Sequence, residues 1–66
     1  MSEPQAIEPL AVGPDVAAVM ASHSRSAIYK AIAAGELHSF KSGKRRLILV
    51  TDLKAWLSRI AREGSR

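Results

Sequence analysis

Residues 23–37 read HSRSAIYKAIAAGEL, and this segment more than any other limits the fold. Ser24 suits a helix N-cap, because its hydroxyl accepts from a backbone N–H two or three residues on. Gly35 suits a stop, because glycine takes the left-handed conformation at low cost. The helix between them is short, with Ala27, Ile28, Ala31 and Ile32 on one face. An apolar stripe of that kind has to pack against a neighbouring element.

The neighbour is legible just upstream. In LAVGPDVAAVMA, Gly13 suits an N-cap, Pro14 the first helical position and Asp15 the positive end of the helix dipole. Val16, Val19 and Met20 then mark one face at helical spacing, which predicts a first helix ending near Ala21. Two short helices joined by the tight turn at 22–24 form a helix-turn-helix pattern. Downstream, residues 37–41 and 46–50 are rich enough in Leu, Ile, Val and Phe to be strands. Gly43 between them supplies positive φ, which predicts a hairpin with a cationic tip. Thr51 is expected to cap a third helix, with Asp52 in its first turn. On that helix Leu53, Trp56, Leu57 and Ile60 fall at i, i+3, i+4 and i+7, the clearest amphipathic stripe in the chain. Trp56 therefore belongs to the core rather than to a surface that stacks on bases.

A chain of 66 residues holds one domain with a small core. We expect a flexible arm over 1–9, a folded domain over 10–62 and a flexible tail over 63–66. Cysteine is absent, which excludes disulfides and thiolate metal sites. His23 and His38 are too few for a metal centre, and His23, in the turn, is expected to pack inward. No apolar run is long enough to span a membrane, and the acidic N-terminus lacks the order of a secretion signal. The expected location is the cytoplasm. No paired carboxylates in an apolar cradle and no glycine-rich phosphate loop appear, so no enzyme, cofactor or metal is expected.

Charge is divided unevenly along the chain. Residues 1–24 carry Glu3, Glu8 and Asp15 and no Lys or Arg, a net of −3. All ten basic residues lie from Arg25 onward against Glu36, Asp52 and Glu63, a net of +7. That asymmetry points to a polyanionic partner, and in so short a chain to nucleic acid ahead of an anionic membrane.

Two groups of side chains carry that expectation. On the second helix, Arg25 and Tyr29 are i, i+4 neighbours, as are Ser26 and Lys30, and all four lie away from Ile28 and Ile32. Arg25 stands at the first helical position, where its guanidinium can donate two bonds to guanine, while Tyr29 and Lys30 suit phosphates. Ser22 and Ser24 are further candidates for phosphate, with Ser24 also serving as the cap. The second group is the hairpin, with Lys41, Lys44, Arg45 and Arg46. The plainer readings are a solvated helix face and a charged loop that protects a strand edge from aggregation. Finding both groups together favours duplex DNA. Leu47 and Leu49 alternate with Ile48 and Val50, so one pair is expected to face away from the core.

The stretch from Asp15 to Leu57 resembles the excisionase-type winged helix-turn-helix domain of the MerR-like superfamily. The resemblance covers residues 10 to about 60. Its marks are Val16, Ala17, Ala18 and Met20 in the first helix; Ser24, Arg25, Ser26, Ile28 and Tyr29 in the second; and Gly35, Glu36 and Leu37 after it. Gly43, Arg45 and Arg46 mark the wing, and Asp52, Leu53, Trp56 and Leu57 the last helix. Three positions differ from the family pattern: Ser22 replaces the usual turn glycine, His23 an apolar residue, and Ser42 an apolar wing residue.

The resemblance implies an α+β winged helix-turn-helix of three helices, with a two-stranded antiparallel wing between the second and third. It also implies that the second helix enters the major groove and the wing meets the adjacent minor groove or backbone. For an excisionase, or recombination directionality factor, it implies several copies binding adjacent sites, bending the DNA and directing an integrase toward excision. The chain shows no added effector region, which favours this role over a small transcriptional regulator using the same surface. A rival of another class is a protein-interaction adaptor docking through Leu47, Leu49 and the last helix. With no heptad pattern, we expect a monomer in free solution.

Overall fold

The computed structural model describes residues 9–64. The elements run β1 (Ala11–Val12), α1 (Pro14–Ala21), α2 (Arg25–Ala33), β2 (Phe40–Ser42), β3 (Arg45–Leu49) and α3 (Val50–Gly64). The strands form one antiparallel sheet in the order β1-β3-β2. This is the small α+β winged helix-turn-helix expected from the sequence, with one strand more.

That extra strand fixes how the wing joins the body. Ala11 pairs with Leu49 and Val12 with Ile48, so β3 is flanked on both sides. The pairing also moves the start of α3. The Val50 N–H donates to the Leu10 carbonyl at 2.9 Å, and the helix leaves the strand at Val50. Thr51 is consequently inside the first turn and does not act as the cap expected of it. At the other end α3 runs through Glu63 to Gly64, where the composition suggests a tail. The arm expected over 1–9 lies, Pro9 apart, outside the described residues.

The turn of the helix-turn-helix keeps its geometry without glycine. Ser22 takes the left-handed conformation (φ 56, ψ 40), and its N–H and that of His23 close back onto α1 carbonyls. Ser24 then caps α2, its Oγ accepting from the Ala27 N–H at 3.0 Å. The far end of α2 closes through Ala34 and Gly35 (φ 77), after which Leu37 turns inward and is buried. Leu37 is therefore a core residue ahead of the wing, and β2 begins only at Phe40 rather than at residue 37.

The core gathers Val12 and Ile48 from the sheet, Ile28 and Ala31 from α2, Leu37, and Leu53 and Trp56 from α3. From α1 it takes Ala17, Ala18 and Ala21. The face marked by Val16, Val19 and Met20 is thus the outer one, and Val19 is 79% exposed. The physical reason is room. α1 packs against α2, α3, β1 and β3 at once, and only methyl-sized side chains let it approach all of them. Ala17→Leu is accordingly expected to overpack the core and cost about 1–3 kcal/mol. Val19→Ala, on the outer face, should change stability by less than about 0.5 kcal/mol. Thermal unfolding followed by circular dichroism separates the two, and equal losses would mean that α1 is turned the other way.

Candidate nucleic-acid interface

α2 projects the face its sequence pattern marks out. Ile28 and Ala31 are buried beneath it, while Arg25, Ser26, Tyr29 and Lys30 are exposed above. Tyr29 is 47% exposed, so its ring lies on the surface rather than in the core. These four residues line a shallow concavity with Ala33. Ser22 and Ser24 precede that face in the turn, outside the concavity, and the Ser24 hydroxyl oxygen is occupied as a cap.

A second concavity joins the helix to the wing. It is lined by Arg25 and Tyr29 of α2, Arg45 and Arg46 of β3, and Gly13, Pro14, Asp15 and Val16 at the start of α1. Residues 20 apart in sequence are thereby placed around one hollow. The wing itself is built on a two-residue loop, Gly43–Lys44, between the paired Ser42 and Arg45. Gly43 has φ 64 at the first loop position, the requirement of a type II′ turn. Ser42 sits in this ladder without breaking it.

The strand register carries an electrostatic signal. Lys41 lies directly across from Arg46. Like charges in that relation destabilise a hairpin, and no carboxylate in the wing offsets them. Arg46 instead donates from Nη1 to the Ser39 hydroxyl at 2.7 Å. Cations held against one another in this way favour a polyanion laid across them. Arg46 also shares its strand side with buried Ile48, since side chains alternate along a strand. Arg45 and Arg46 are thus strand residues beside the turn, and of the wing cations only Lys44 lies in the loop itself.

Two contacts at this surface have no sequence signal. Asp15 approaches Arg25 with Oδ1 3.1 Å from Nε, an exposed ion pair between α1 and α2. Ser39 supports Arg46. Each joins residues that only the folded chain brings together. Away from the surface, His23 packs its ring on Trp56, centroids 5.2 Å apart, and its Nδ1 lies 2.7 Å from the Ala21 carbonyl oxygen. His23 is thus part of the fold, as its turn position suggested. Leu49 is 37% exposed and Leu47 half-buried, in keeping with the alternation along β3. Among the described residues no cluster of metal-ligating side chains occurs. No helix among them is long and apolar enough to cross a membrane.

Comparison with known proteins agrees with this architecture. No curated protein and no solved structure matches the chain. A family model, described as a helix-turn-helix domain, matches residues 13–61, from the cap of α1 to within α3. The match spans most of the chain and takes in both concave surfaces, and the protein belongs to this family of helix-turn-helix DNA-binding domains.

Proposed function

We propose that the protein binds duplex DNA sequence-specifically and bends it, acting as an excisionase that directs an integrase toward excision of a prophage or mobile element. The observation that carries the DNA-binding geometry is the hollow shared by Arg25, Tyr29, Arg45 and Arg46. A helix seated in the major groove and a wing beside it would meet one continuous stretch of duplex, and bending brings more backbone within reach of the wing. Arg25 reads a base edge. Ser26, Tyr29 and Lys30 support it from the same face, and Lys41, Lys44, Arg45 and Arg46 hold phosphates or a narrow minor groove. Ser22 is a lesser candidate for phosphate. The excisionase role is supported by the resemblance of residues 10 to about 60 to that family. The protein is a binding module and not a catalyst. It works in the bacterial cytoplasm, monomeric when free and cooperative on DNA.

Nuclease protection tests this reading on the DNA flanking the gene, with and without a neighbouring integrase. Tandem protection beside a recombination site, with integrase-dependent excision, is the expected result. Protection confined to a promoter assigns the same surface to transcriptional regulation. Retention of a protein partner in high salt, with no salt-sensitive DNA shift, would mean an adaptor instead.

A further inference from the structure

One acid stands on the surface proposed to meet DNA. Among the described residues Asp15 is the sole carboxylate around the hollow formed by Arg25, Tyr29, Arg45 and Arg46, and it is 72% exposed. A carboxylate there repels phosphate, so its presence lowers affinity for every sequence alike. What it gains is a hold on one side chain, since its Oδ1 lies 3.1 Å from Nε of Arg25. A contact through Nε leaves the end of the guanidinium fork, Nη1 and Nη2, for an incoming base. That end carries the paired donors that match O6 and N7 of guanine.

We infer that Asp15 is a positioning residue for base readout: it holds the Arg25 guanidinium in the orientation that reads guanine. The inference rests on Arg25 being the base reader proposed above. In the free protein the pair is exposed and weak. On DNA, water leaves the hollow and the same contact strengthens as the local dielectric falls. An arginine otherwise free to swing toward phosphates is then restricted to the base edge, so discrimination rises although overall affinity does not.

The test uses the full chain and a duplex selected from a random pool, together with its single-base-pair substitutions. Equilibrium binding is measured for the parent protein, Asp15→Asn, Arg25→Ala and the double variant, each checked for retained fold by circular dichroism. Asp15→Asn is expected to reduce discrimination about three- to tenfold at the one base pair that Arg25→Ala also relaxes. Other positions should keep their preferences, and the double variant should discriminate no worse than Arg25→Ala alone. Tighter binding of Asp15→Asn to all duplexes by one common factor, with preferences intact, would show a merely repulsive charge and overturn the inference. Unchanged preferences in Arg25→Ala would overturn the reader assignment and the inference together. Should Asp15→Asn fail to fold, Asp15→Ser, which keeps a short polar group in the first turn of α1, takes its place under the same outcomes.

Discussion

Trp56→Ala leaves no cooperative unfolding transition at room temperature, or lowers Tm by at least about 12 °C. The reason lies in how little else fills the core. α1 contributes only alanines, and α2 one alanine and one isoleucine, so the indole is the largest side chain at the centre. It is 4% exposed and carries the His23 ring against it. Phe40 is only partly buried and Tyr29 is on the surface, so no other aromatic can take its place. Replacing a buried tryptophan by alanine costs about 3–5 kcal/mol. A chain of this length has a total stability of roughly 3–10 kcal/mol, so the loss is comparable to the whole. In a domain this small each kcal/mol moves Tm by about 4–8 °C. Trp56→Phe should cost much less, because it keeps a ring in place and removes an indole N–H that finds no acceptor among the described residues. Circular dichroism melts of the two variants provide the check. A Trp56→Ala protein that melts near the parent temperature would mean that the core is not organised around this residue.

Arg25→Ala weakens binding to the preferred site by about 1–3 kcal/mol and relaxes preference at one base pair. Lys44→Ala, at the wing tip, weakens binding to every sequence by a similar factor and reduces the salt slope by about 1. The contrast follows from position. Arg25 opens α2 on the face that buried Ile28 and Ala31 turn outward, while Lys44 lies on a two-residue loop at the extremity of the hairpin. A guanidinium near base edges discriminates, whereas an ammonium among phosphates does not. Binding titrations over a panel of duplexes at several salt concentrations distinguish the two behaviours. Equal losses on all sequences for Arg25→Ala would remove its reading role.

Much of this architecture can be read from residue types at local spacing. The stripe Leu53, Trp56, Leu57 and Ile60 gives α3 its inward face, and Ser24 with Gly35 brackets α2. The exposed four of α2 follow from the same periodicity. What fails to show locally depends on contacts across the chain. Every residue of α1 after Asp15 is apolar, so periodicity could not decide which side faces in; the closeness of four neighbouring elements decided for alanine. β1 is two residues long, too short for alternation to register, and exists because β3 offers it an edge. Thr51 has the chemistry of a cap, yet Leu10 supplies the carbonyl that receives the first helical N–H. The Asp15–Arg25 pair spans two helices and a turn, and neither residue alone announces it.

The interface itself is open to direct mapping. Uniformly 15N-labelled protein titrated with a selected duplex should shift its amides most at Arg25, Ser26, Tyr29 and Lys30 and across residues 41–46. The exposed side of α3, at Lys54 and Ser58, should change little. Shifts centred on α3, with α2 and the wing unmoved, would contradict the assignment of α2 as the element that enters the groove.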